Sequence, residues 1–185
     1  MRALAAVAGV VLLALGVGAG WLVGRETSEA ETDTTTVTET STETVVEGFL
    51  PEEVEETRAE LLAAAEAGDY DALRPHLTPA FRYTFGGPVE GGPIAYWQEL
   101  ERTTDERPLV TLATILELPP VLSRGIYAWP WAYTVEGVSA LSPHERELLE
   151  PLGPLDELFV PGTGYLGWRT GIEPDGTWAF FLAGD

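Results

Sequence analysis

Hydrophobic positions along this chain fall into three regimes. Residues 3–23 form an unbroken apolar run, and residues 26–47 hold almost no large apolar side chain. From Leu50 onward, apolar residues recur with the periods of helices and strands. The first periodic segment opens with Pro51-Glu52-Glu53, where a proline and two acids suit a first helical turn. Val54, Leu61, Leu62 and Ala65 then share a helical face opposite Glu55, Glu56 and Glu60, and Gly68 is placed to end the helix. Asp69 caps a second, shorter predicted helix over 70–77, stopped near Pro79. Residues 81–85 (Phe-Arg-Tyr-Thr-Phe) carry a strand signature, and a glycine- and proline-rich loop follows over 86–93.

Ile94, Trp97 and Leu100 place a helix over 94–103. The segment 109–118 has strand-like β-branched content but also a helical stripe of Leu109, Leu112, Ala113 and Leu116. It reads as a helix, halted by Pro119-Pro120. Residues 126–135 alternate with period two. Tyr127, Trp129, Trp131 and Tyr133 would share one face and Ala128, Pro130 and Ala132 the other. Pro130 cannot donate to a ladder, which puts that strand at an edge or gives it a bulge. Ser142-Pro143-His144-Glu145 is a capping box opening a short helix to about Leu149. Strand-like runs over 165–172 and 177–183 flank Glu173-Pro174-Asp175-Gly176, a turn in which Gly176 accepts positive φ.

This order predicts an α+β domain over 48–185, a curved antiparallel sheet with helices packed on one face. Ahead of it stand a single N-terminal transmembrane helix (1–25) and a disordered linker (26–47). Twenty-one apolar residues rise about 31 Å as a helix, enough to cross the hydrocarbon core. A cleaved signal peptide is the alternative, but Gly24-Arg25-Glu26 is a poor cleavage site. Arg2 and Arg25 nearly balance the positive-inside signal. A single anchor followed by a threonine-rich tether places the domain outside. The expected localisation is therefore the cell membrane, single-pass and extracytoplasmic, or secretion if the segment is cleaved. The linker is dominated by Thr and Glu and buries too little apolar surface to offset its ordering entropy. As a coil it spans roughly 25 Å.

Charge narrows the partners. Thirty acids against ten bases give a net charge of −20, and every base is an arginine. Such a surface excludes nucleic acid, which needs a basic patch. With no cysteine and two histidines, disulfides, thiol chemistry and a histidine-rich metal site are excluded. Asp69 and Asp71 have the spacing of a calcium-loop fragment without its companion ligands. No nucleophile elbow, phosphate loop, HExxH or dinucleotide fingerprint occurs, so no cofactor or metal is expected.

The aromatic series Tyr127, Trp129, Trp131 and Tyr133 would either line the core or stack a planar ligand such as a sugar or peptide. Trp168, Trp178 and Phe180 read chiefly as core. Arg82 and Arg169, predicted within strands, need a carboxylate partner or an anionic ligand. His76, beside Pro75, is a candidate general base with Asp69 or Asp71, and the competing reading is an exposed helix end. His144 reads as solvated, and Glu173 and Asp175 as serving their turn.

The first helix, Gly68-Asp69-Tyr70-Asp71-Ala72-Leu73 leading into the second, the run 81–85, the glycine-rich loop and the helix with Tyr96-Trp97 together resemble the NTF2-like superfamily (SnoaL- or ketosteroid-isomerase-type). That resemblance implies a cone whose sheet and helices enclose a pocket, and it carries over no catalytic residue. Two functions are thus expected. The leading one is a membrane-tethered extracytoplasmic binding or scaffolding domain for a small molecule, envelope polymer or protein. The alternative is an NTF2-like pocket enzyme with Asp69, Asp71 or His76 as proton acceptor and Tyr83 or Tyr96 nearby.

Overall fold

Glu52, Glu53 and Glu55 crowd the first turn of helix α1 (Glu52–Glu66), where the helix dipole favours them. The helix closes with a full Schellman motif. Gly68 takes φ +67°, its N–H donates to Ala65 O at 3.1 Å, and the Asp69 N–H donates to Ala64 O at 3.0 Å. This is a computed structural model, and the residues it describes are Thr44–Val45 and 50–184. The expected membrane anchor and nearly all of the expected linker lie outside them. Among the described residues no helix is long and apolar enough to cross a membrane.

Strand β1 (Thr44–Val45) falls inside the expected linker and pairs antiparallel with β2 (Val121–Ser123). After α1 the chain makes a 3-10 helix over Asp71–His76 with Pro75 inside it. Helix α2 (Gly92–Thr103) starts two residues before the predicted position, and α3 (Pro108–Leu116) resolves the ambiguous segment as a helix. The apolar stripe won there because Leu109, Leu112, Ile115 and Leu116 all become buried. Strand β3 (Ile126–Trp129) follows, then α4 (Pro143–Leu149), α5 (Leu155–Leu158) and the short pair β4 (Phe159–Val160) and β5 (Gly164–Tyr165). The chain then forms the hairpin β6 (Arg169–Ile172) and β7 (Trp178–Leu182).

The main sheet is antiparallel with order β1-β2-β3-β6-β7. The α+β class is therefore the one expected, but three predicted strands need correction. The run 165–172 is broken, Gly164–Tyr165 pairing with Phe159–Val160 in a second sheet and only Arg169–Ile172 entering the hairpin. Residues 81–85 do not form a strand. Only Arg82 joins the sheet, in a parallel bridge with Phe180 at the outer edge of β7. The chain then turns away, and the Tyr83 hydroxyl takes up the Val89 N–H at 2.7 Å. The strand predicted over 126–135 ends at Trp129, since Pro130 has no N–H for the ladder and residues Trp131–Thr134 wind into a 3-10 turn. β3 is consequently a central strand, not an edge.

One face of the sheet carries Trp129, Ile172, Trp178 and Phe181 against α1, α2 and α3. Trp97 of α2 sits at the centre of this core, fully buried, with ring centroids of Phe181 at 5.3 Å, Trp178 at 5.9 Å and Phe81 at 6.0 Å. The other face is not bare, as helices on a single side would leave it. Val121, Ala128, Trp131, Leu141, Leu149, Leu158, Phe159 and Tyr165 build a second, smaller core over part of it.

The hairpin tip is fastened to α1. Gly176 has φ +83°, and a Cβ there would lie 2.9 Å from Glu53 O. The Thr57 hydroxyl donates to Gly176 O at 2.8 Å. The turn itself closes as its sequence predicts, with Gly176 N–H donating to Glu173 O and Thr177 N–H to the Asp175 carboxylate, both at 2.9 Å. Hydrogen bonding from Thr177, its backbone N–H first, holds the Asp175 carboxyl below its ordinary pKa.

Candidate functional site

The open part of the sheet's second face forms a groove of about 720 Å3. Strand alternation makes its floor. Ile126 and Ala128 of β3 face it while Tyr127 and Trp129 pack on the helix side. On β6, Arg169 and Gly171 are the counterparts of inward-facing Thr170 and Ile172. On β7 a register shift opposite Gly171/Ile172 makes Ala179 an extra residue. That bulge sends Phe180 and Leu182 toward the groove while Trp178 and Phe181 both enter the helix-side core. Gly171 has no side chain because the Phe180 ring lies over it, and a Cβ there would sit 2.4 Å from that ring.

Three arginines line the groove: Arg82, Arg124 and Arg169. Arg82 gets there by backbone pairing. Its N–H donates to Ala179 O at 3.0 Å and its carbonyl accepts from Phe181 N–H at 2.9 Å. Its neighbours Phe81 and Tyr83 are buried, which leaves Arg82 exposed on the opposite side, toward the groove. Arg169 is only 7% exposed. Its guanidinium donates to Gly184 O at 2.7 Å and Tyr165 O at 3.4 Å, and lies 5.2 Å from the Phe85 ring centre and 5.3 Å from that of Tyr133. It therefore bridges the two walls through cation–π contact.

Arg124 was not anticipated from the sequence. It stands with Gly125 in the two-residue turn joining β2 and β3, where Ser123 pairs with Ile126. Both turn residues have positive φ, +50° and +81°, as a type I′ turn requires. The first of those positions favours Asn, Asp or Gly, and Arg124 is the one described non-glycine residue with positive φ. Its signal was readable in Ser123-Arg124-Gly125-Ile126, an X-Gly pair between two apolar runs.

The remaining described arginines outside the groove are tied down nearby. Arg58 pairs with Glu55, Arg74 with Asp71 and Arg102 with Glu99, while Arg107 and Arg146 donate to backbone carbonyls. The guanidinium groups of Arg82 and Arg124 have no hydrogen-bond or ion-pair partner among the described residues. Glu173, exposed at one end, is the one acid among the described residues that line the groove. A smaller recess of about 220 Å3 adjoins it, sharing Arg124 and Tyr133 and reaching Thr163 and Tyr165. Burial pushes the Tyr165 hydroxyl well above its ordinary pKa, opposed by the Arg169 charge, so it stays a neutral donor, here to Trp168 O at 3.0 Å.

Of the predicted ligand-binding residues, the fold gathers Arg82, Arg169 and Tyr133 at the groove. It sends Trp129 into the helix-side core and Trp131 into the second core, both almost fully buried, and keeps Tyr127 half-buried on the helix side. The four aromatics thus share no common face, because the chain leaves strand geometry after Trp129. The candidate proton acceptors sit elsewhere. Asp69 accepts the Asp71 and Ala72 N–H groups at the start of the 3-10 helix, and Asp71 pairs with Arg74 at 2.7 Å. His76 lies 3.5 Å from Glu60. None of the three lines the groove. Tyr83 and Tyr96 pack on each other at 5.7 Å, with the Tyr83 hydroxyl engaged by Val89. Among the described residues no group of three or more His, Asp or Glu side chains is arranged to hold a metal ion.

Comparison with family models, with characterised proteins and with solved structures finds no match for this chain.

Proposed function

We propose that this protein is a membrane-tethered extracytoplasmic binding domain whose ligand site is the groove on the open face of the main sheet. The tether and its side of the membrane rest on the sequence, the apolar run at 3–23 followed by the Thr/Glu-rich segment. The site rests on one observation, a concavity of small-molecule size with an apolar floor and arginine and aromatic walls. Binding is favoured over catalysis because the candidate proton acceptors Asp69, Asp71 and His76 are engaged locally, outside the groove.

Two measurements test this. Fractionation with protease accessibility of the full-length protein should find it in the membrane with the domain cleavable from outside. For the site, saturation-transfer NMR would use the full chain in nanodiscs, a mixture of neutral and charged aromatic fragments, and empty discs as blank. Ala80 is exposed and lines the groove, so Ala80→Trp should crowd it without unfolding the domain. Fragment signals should fall at least threefold in that variant. If no fragment signal responds to it, the groove is not a binding site.

A further inference from the structure

Resting on that binding reading, we infer that the groove selects a small organic anion, one acidic oxyanion head with an apolar body. The head lies between the guanidinium groups of Arg82 and Arg124, and the body rests on the half-buried Ile126 and Phe180.

Three independent observations carry this. First, charge is segregated. In a chain of net charge −20, the described residues lining one groove include three arginines and a single exposed acid. Second, the described arginines elsewhere have carboxylate or carbonyl partners, whereas the guanidinium groups of Arg82 and Arg124 have none among the described residues. A guanidinium fork left open in a concavity matches a carboxylate or phosphate. Third, Arg124 occupies a left-handed turn position where arginine is disfavoured, and its guanidinium makes no hydrogen bond or ion pair among the described residues. Its presence there is explained if the turn serves to hold the guanidinium over the groove.

Size and the acidic surface set the upper limit on the ligand. About 720 Å3 accommodates one drug-sized molecule. The surrounding negative charge repels an extended polyanion, so a compact mono- or dianion fits and a polymer of phosphates does not. Arg169 supports the site without offering its donors. Held by Gly184 O and sandwiched by Phe85 and Tyr133, it adds positive potential beneath the floor and fixes both walls.

The test is calorimetric titration of the full chain in nanodiscs with 3-phenylpropionate, phenyl phosphate, the uncharged 3-phenylpropionamide and inorganic phosphate. Both aryl anions should bind at least tenfold more tightly than the amide, and inorganic phosphate should bind far more weakly than phenyl phosphate. Whichever anion binds more tightly identifies the head as carboxylate or phosphate. Arg82→Gln and Arg124→Gln should each weaken aryl-anion binding about tenfold, the scale of one charge-assisted hydrogen bond. They should leave the amide unchanged. Arg124→Asn adds a readout that a purely structural residue would not give. It creates an Asn-Gly type I′ turn and should raise Tm by about 1–3 °C while weakening binding as much as Arg124→Gln.

Equal binding of amide and acid, still abolished by Ala80→Trp, would overturn the anion assignment and leave the binding groove standing. Indifference of all four probes to Arg82→Gln and Arg124→Gln would also overturn it. Absence of any response to Ala80→Trp would sink the binding reading itself.

Discussion

The two faces of the main sheet are made by alternate residues of the same strands, yet they are finished differently. Toward α1–α3, Trp129, Ile172, Trp178 and Phe181 pack against the helices and are almost wholly buried. Toward the groove, Ala128 and Gly171 are small, Phe180 is half-buried, and Phe85 is 53% exposed. Completing a face with large side chains yields stability, whereas leaving it shallow yields room for something else. Substitutions on the first face should therefore be read by unfolding, and those on the second by binding.

The sharpest check sets Trp97→Ala against Phe180→Ala. Trp97 is fully enclosed, so its truncation should cost about 3–5 kcal/mol, a large part of the 5–15 kcal/mol typical of a domain. Phe180→Ala should cost less than half as much by denaturant titration. If the two losses are equal, the groove face is as structural as the helix face and the contrast fails. Next in size is Gly176→Ala, expected at about 1–3 kcal/mol because it combines a positive φ with a close approach to Glu53 O. Binding by the residual folded fraction should be unaffected.

Thr170→Val separates the faces within one strand. The buried Thr170 hydroxyl accepts the Trp178 indole N–H at 2.7 Å and donates to Phe180 O at 2.8 Å. Its loss strands both groups and should cost about 1–3 kcal/mol, with no change at the neighbouring groove residues. The smallest expected effect lies at the second core. Ser142 Oγ accepts from Glu145 N–H at 3.2 Å, and the Glu145 carboxylate accepts from Ser142 N–H at 2.7 Å. Ser142→Ala should cost about 1 kcal/mol.

Hydrogen bonding to Ser142 also holds the Glu145 carboxyl below its ordinary pKa. Its folded value being the lower one, its stabilisation is complete above the unfolded-state carboxylate range. It disappears as pH falls through the folded value. Glu145→Gln should therefore flatten the acid side of a Tm–pH curve slightly, with no change near neutrality in that slope.

Much of the helix face was legible because its signals are local. The Glu-rich first turn of α1, Gly68, the stripe in 109–118, the capping box and Glu173-Pro174-Asp175-Gly176 each specify their own geometry. The groove was legible only in part. Arg82, Arg169 and Tyr133 stood out by type, but their convergence depends on pairings between segments far apart in sequence. Two departures from regular period broke the aromatic series and the β7 pattern. After Trp129 the chain leaves the strand, and the extra residue Ala179 changes which side Trp178 faces. A bulge is set by the partner strand, so alternation in one strand cannot reveal it. Arg124 was missed because an arginine in a turn usually reads as a solvated charge.

The bond between Thr57 and Gly176 spans 119 positions of sequence. During synthesis α1 can meet α3, its main packing partner, well before the hairpin whose tip Thr57 holds has been made. An interrupted chain lacking the hairpin would leave the core without Ile172, Trp178 and Phe181, and is expected to be a substrate for proteolysis rather than a partly working product.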